Sequence, residues 1–184
     1  MTTRRVAWRR SDEVQADEHC TITMRDGGLS LVGTVLGAED GVPIRVEYRV
    51  LVDAAGETTA VHVRDLRGFA QRTLTLARDT KGSWTVDGVP VKALKGCIDV
   101  DLGCSPSTNT LPIRRLNLAV GESRAVTAAW VRFPELTVER LPQEYRRLDE
   151  RRYRYSSAGG RFVAELEVDE HGLVTTYGQI WTRA

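Results

Sequence analysis

Asp99 and Asp101 stand two residues apart in Gly96-Cys-Ile-Asp-Val-Asp-Leu102, and Ser105, Ser107, Thr108, Asn109, Thr110, Arg114 and Arg115 follow them. On a strand, alternate side chains share a face, so both carboxylates point the same way. Three kinds of chemistry fit. Paired carboxylates in unlike surroundings can divide acid and base work, as a hydrolase does on a glycoside or ester, if a substrate site lies between them. As a metal site the pair is weak, because His19, His62 and His171 are scattered in sequence and none lies nearby. Alternatively the segment is a buried polar network. Two desolvated carboxylates cost heavily unless paired, and Arg114 and Arg115 are the nearest guanidiniums a turn could bring back.

The third reading is ligand binding. A helix N-terminus offers free N–H groups and partial positive charge to phosphate or sugar oxygens. Asn109, Thr110, Arg114 and Arg115 would add fixed donors, while Asp99 or Asp101 accept sugar hydroxyls. Trp130, Tyr153 and Tyr155, with Trp8 and Trp181, either floor an apolar cavity or pack as ordinary core. A nucleophile has little support. Ser105 and Ser107 lack a Gly-x-Ser-x-Gly elbow, and Cys97 and Cys104 have no base evident beside them. His62, between Val61 and Val63, falls on the solvent face of its strand.

The elements that must position these residues are strands. In Val42-Pro-Ile-Arg-Val-Glu-Tyr-Arg-Val-Leu-Val-Asp53 the even positions, Val42 to Val52, are apolar or aromatic, and Arg45, Glu47, Arg49 and Asp53 alternate with them. That is one buried face and one wet face. Similar alternation marks Cys20–Arg25, Leu29–Leu36, Thr58–Leu66, Gln71–Ala77, Arg124–Phe133, Leu136–Leu141, Arg151–Ser156, Phe162–Val168 and Leu173–Trp181. Asp40-Gly41, Asp87-Gly88 and His171-Gly172 are among the turns between them. Roughly a dozen strands at this spacing predict an antiparallel all-β domain. The alternation fails between Ser105 and Leu116, where a short helix starting near Pro112 is expected, with Leu111 outside it and Ser107 to Thr110 as caps. Ala125, Ala128 and Ala129 on the next strand leave room for a close neighbour, which suits a sheet curled around the helix.

Length and composition set the frame. A chain of 184 residues is read as one domain, 1–184, large enough for a core. The 26 basic and 25 acidic side chains leave a net charge of +1, which argues against a nucleic-acid footprint or a polybasic membrane clamp. The three cysteines form no CxxC pair and match no common zinc framework, so free thiols in a reducing, cytoplasmic setting are expected, with neither metal nor cofactor. Arg4-Arg5 is not followed by an apolar stretch, and no run is long enough to span a bilayer.

These segments resemble a bacterial family named for glycolipid binding. The likeness is carried by Arg4-Arg-Val-Ala-Trp-Arg-Arg10, Gly96 to Leu102, Ser105-Pro-Ser-Thr-Asn-Thr-Leu-Pro-Ile-Arg-Arg-Leu116, Tyr153-Arg-Tyr155 and Phe162 through Trp181, which together span nearly the whole chain. The resemblance implies a spiral β-roll, a long antiparallel sheet around a single short central helix, assembled as a homodimer. It also implies a lipid ligand, so the leading expectation is non-enzymatic binding of a glycolipid or related amphipathic molecule between sheet and helix. The rivals are a hydrolase using Asp99 and Asp101, and a structural dimer without a small ligand. The chain departs from the family at Ala55-Gly56-Glu57, where a Trp-Arg pair is frequent, and at Tyr177 to Trp181, where a Tyr-Pro-Gly turn is usual.

Overall fold

In the computed structural model, which describes residues 1–67 and 71–184, the alternating segments become fifteen strands of one sheet. The first eight are β1 (Thr2–Ser11), β2 (Gln15–Arg25), β3 (Gly28–Glu39), β4 (Val42–Val52), β5 (Thr58–Asp65), β6 (Arg72–Arg78), β7 (Trp84–Val86) and β8 (Val89–Pro90). The rest are β9 (Asp99–Leu102), β10 (Ser123–Val131), β11 (Val138–Arg147), β12 (Arg152–Ser157), β13 (Phe162–Val168), β14 (Val174–Tyr177) and β15 (Trp181–Arg183). Consecutive strands pair antiparallel from β1 through β8, and again from β10 through β15. The two meanders join where β15 lies antiparallel beside β1, with Arg10 opposite Trp181. The exception in direction is β9, which runs parallel to β10 and sets Asp99 opposite Ala128 and Asp101 opposite Trp130.

The sheet curls until its β9 edge meets β5. Thr58 N–H donates to the Ile98 carbonyl at 3.2 Å, and Val100 N–H donates to the Thr58 hydroxyl at 3.1 Å. Inside the curl lies the helix α1 (Thr110–Leu116), entered through a 3-10 turn at Ser107–Asn109. Leu111 packs into one apolar cluster, with Trp8, Leu31 and Leu102, while Ile113 packs into a second, with Tyr145, Tyr155 and Leu166. Two residues apart on one helix, they tie the two meanders together. Burying each side chain is worth about 2 kcal/mol.

Several expectations need correction. The helix starts at Thr110 rather than near Pro112, and Leu111 is helical. The 3-10 turn delivers the chain already in helical geometry, with Asn109 at φ −60° and ψ −26°. Pro112 then takes the third helical position, where a backbone N–H would lack an intrahelical partner anyway. The N-cap residue Asn109 makes no side-chain cap hydrogen bond, being engaged elsewhere. Val42, at the start of β4, is exposed although Ile44, Val46, Tyr48, Val50 and Val52 are buried. Ala125 is exposed too; of that trio only Ala128 and Ala129 are buried. And β1 is a full strand that alternation did not reveal, because Arg4 and Arg10 share its inner face with Val6 and Trp8.

Candidate functional site

Every residue from Ser105 to Ile113 is buried, so the polar segment fills the inside of the curl. The side chains of Ser105, Ser107, Thr108 and Asn109 are all hydrogen-bonded. The Thr108 hydroxyl accepts from Leu102 N–H at 3.2 Å. Asn109 donates from Nδ2 to the Pro106 carbonyl at 3.2 Å, and its Oδ1 accepts from the Tyr145 hydroxyl at 2.8 Å. Ser107 N–H donates to the Ser105 hydroxyl at 3.0 Å.

Behind Ser105 sits a carboxyl that sequence reading missed. Glu18 on β2 is 1% exposed; its Oε1 accepts from the Tyr48 hydroxyl and from Ser105 Oγ, the latter at 2.8 Å, and Ser107 Oγ lies 2.8 Å from the Tyr48 oxygen. Burial pushes the Glu18 carboxyl up to about 8, against the pull of the Tyr48 and Ser105 hydrogen bonds. Tyr48 reaches it by crossing β3 at Gly33, where a Cβ would stand 2.3 Å from the tyrosine ring. Two signals were present. Glu18 shares inward parity with Ala16, Cys20 and Ile22, and an isolated strand glycine marks a close approach.

The two aspartates share a face but not an environment. Asp99 is 1% exposed and pairs with Arg115, which donates from Nε to Oδ1 at 3.3 Å and from Nη2 to Oδ2. Burial raises its pKa, with Arg115 the main opposing influence. Asp101 instead borders a cavity of about 330 Å³. Gln143 Nε2 donates to its Oδ2 at 2.6 Å, and the Tyr155 hydroxyl stands beside it. Burial pushes its pKa up to about 6, while Gln143 and Tyr155 hold it down.

That cavity gathers Asp101, Asn109, Trp130 and Tyr155 from the residues singled out by sequence, and Ser105 with them. Its wall continues through Leu141, Phe162, Tyr177, Ile180 and Trp181, and Arg10 adds a guanidinium held by Asp12 at 2.7 and 2.9 Å. Tyr155, Phe162 and Tyr177 form a triangle with ring centroids 5.9 to 6.1 Å apart and planes inclined by 65° to 87°.

The other candidates lie elsewhere. Arg114 and Arg115 border a separate polar hollow of about 310 Å³ beside Asp53 and Gly56, and Arg114 with Tyr153 borders another of about 300 Å³ near His171. Arg114 Nη1 donates to the His171 carbonyl at 2.6 Å. Thr110 is buried, and Asp99 is sealed by Arg115. Trp8 is core, its indole N–H bonded to the Val174 carbonyl at 2.8 Å. Among the described residues no group of three or more His, Cys, Asp and Glu is placed to hold a metal ion, and no helix is long and apolar enough to cross a membrane. The three cysteines are free and buried, and burial raises all three thiol pKa values.

Comparison with known proteins agrees with this architecture. A crystal structure of a DUF1089 family protein from Pseudomonas aeruginosa superposes with a TM-score of 0.83, at 32% identity and covering 95% of either chain. No curated protein matches. The model of the family described as "Putative glycolipid-binding" matches residues 5–183, and the chain belongs to that family.

Proposed function

We propose that the protein binds an amphipathic ligand, a glycolipid or related molecule, in the cavity bordered by Asp101, Asn109, Trp130 and Tyr155, and does no chemistry on it. The observation that carries this reading is the lining itself. An aromatic and aliphatic wall faces a short row of fixed polar groups, the usual division of labour in a small-molecule site. Its volume lies at the low end of the range of about 300–1,000 Å³ for such sites, which suits a head group or the end of one chain rather than a whole two-chain lipid. The family's description points to the same ligand class. An acid–base pair is disfavoured because Arg115 engages Asp99 while Asp101 alone borders the cavity.

The buried, unpaired cysteines support a reducing, cytoplasmic setting. Homodimerisation would cover a free sheet edge such as β8, where Val89 is 64% exposed. Native mass spectrometry of the chain purified from its own host, together with titration of octyl glucoside by tryptophan fluorescence, tests the binding reading. A lipid-sized adduct and saturable quenching are expected. A bare chain that octyl glucoside and dodecanoate both leave unchanged would overturn it.

A further inference from the structure

Asp99 is buried and Asp101 half-buried, but among the described residues only Asp99 has a counter-charge. Among the described residues no lysine, arginine or histidine forms an ion pair with Asp101; its neighbours are the uncharged Gln143 amide and Tyr155 hydroxyl. A carboxylate in a partly dry site without a cation is costly, and this one stands in the wall of a cavity. Beside it the Tyr155, Phe162 and Tyr177 rings pack edge to face on one another as one aromatic wall. Ring faces attract cations, most strongly where water is excluded. The same wall already uses this attraction: Arg10 lies 5.8 Å from the Trp181 ring centre and Arg132 lies 5.3 Å from that of Trp130.

Resting on the reading of this cavity as a ligand site, we propose that the group it receives is a small organic cation, an alkylated ammonium held between the Tyr155, Phe162 and Tyr177 rings and the Asp101 carboxylate. Arg10 does not oppose it, since Asp12 neutralises that guanidinium through two hydrogen bonds. A neutral sugar could stack on the rings but would leave the carboxylate uncompensated. An anionic head would meet Asp101 directly and be repelled. The ammonium reaches the cavity either as a lipid head group or as a free solute.

The groups facing Asp101 are Gln143 and Tyr145 from β11, Tyr155 from β12, Tyr177 from β14 and, across the cavity, Arg10 from β1. Burial raises the three tyrosine hydroxyls, so they stay neutral through the physiological range. Asp101 is therefore the group that titrates there, and its raised pKa near 6 means that a bound cation draws the proton off. Cation affinity should climb with pH up to about 6 and then level.

The test is a fluorescence or calorimetric titration of the full chain with choline and with its uncharged isostere 3,3-dimethylbutan-1-ol. At pH 7.5 choline should bind about tenfold or more tightly than the isostere, the discrimination expected of a desolvated cation over aromatic faces. Asp101→Asn should bring choline down to the isostere's level. The unmutated chain gives a second readout free of any folding question: choline should bind about tenfold more weakly at pH 5 than at pH 7, and the isostere equally at both. Phosphatidylcholine vesicles against free choline distinguish the sources; tighter binding to either upholds the cation. Equal affinity for choline and isostere, or choline binding unmoved by Asp101→Asn, overturns the proposal. If octyl glucoside binds while choline does not, the cation is wrong and the amphipathic site stands. If choline, isostere, octyl glucoside and dodecanoate all fail, both fall.

Discussion

Replacing Arg115 by methionine keeps the aliphatic stem and removes the guanidinium, which isolates a single charge. Arg115 is the sole ion-pair partner of Asp99 among the described residues, and Asp99 has 1% of its surface exposed. Without that partner the carboxylate either stays charged, at a cost of about 3–5 kcal/mol for breaking a buried pair, or takes up a proton. Protonation sets a ceiling. A carboxyl whose ordinary value is 3.8 costs about 1.4 kcal/mol per pH unit to hold neutral above it. The ceiling is therefore about 4 kcal/mol at pH 7 and about 1.6 kcal/mol at pH 5. The sign follows from the raised folded pKa: the variant keeps its stability at pH values below the unfolded value and loses it as the pH rises. Urea unfolding followed by tryptophan fluorescence at both pH values measures this, and the loss at pH 7 corresponds to a fall in Tm of about 10 °C. The double variant Asp99→Asn/Arg115→Met should recover most of the loss. An equal loss at pH 5 and pH 7 would refute the electrostatic account and point instead to the stem, which packs against Gly56.

Glu18 makes a second pH-dependent contribution. Its folded pKa is raised to about 8, so its stabilising share is full below about pH 4.5 and drains away as the pH climbs to about 8; Glu18→Gln should flatten that slope in a pH series of melts, and an unchanged slope would exclude Glu18 as its source. In the cavity, Trp130→Ala should weaken octyl glucoside by about tenfold through lost ring contact, whereas Arg114→Ala, which borders other hollows, should leave that titration unaltered. Sedimentation at micromolar concentration should show a homodimer; a boundary at 20.5 kDa alone would remove the dimer from the functional reading.

Period-two alternation was enough to read the sheet, because a half-buried strand writes its two faces into every second residue. It failed at β1, where Arg4 and Arg10 take inward places beside Trp8. The helix was legible as a break in alternation around Pro112, but its start was not, since a preceding 3-10 turn overrode the bias against helical geometry before proline. Arg114 and Arg115 were equally good partners for the aspartates on paper. One helical step separates them by about 100°, so a single helix face reaches Asp99 and the other arginine turns to the His171 carbonyl. The aromatic triangle was not legible at all. Its rings come from three strands whose register sets Tyr155 opposite Ala164 and Tyr177 opposite Leu166, and register between strands is not written in any local pattern.

Two carboxylates on one face of one strand thus reach opposite ends because of what lies across from them. The helix turns back over the start of β9, and Arg115 closes on Asp99. Two residues later Asp101 meets the uncharged Gln143 amide instead; Gly103 follows, where a Cβ would come within 3.0 Å of the Trp130 indole nitrogen. The close approach lets Trp130 lie against the end of β9 and border the cavity with Asp101. Filling that space would press on the wall rather than on the ion pair. The segment from Gly96 to Leu116 is therefore both plug and wall. Its first carboxylate is spent on closing the roll, and its second has no ion-pair partner among the described residues.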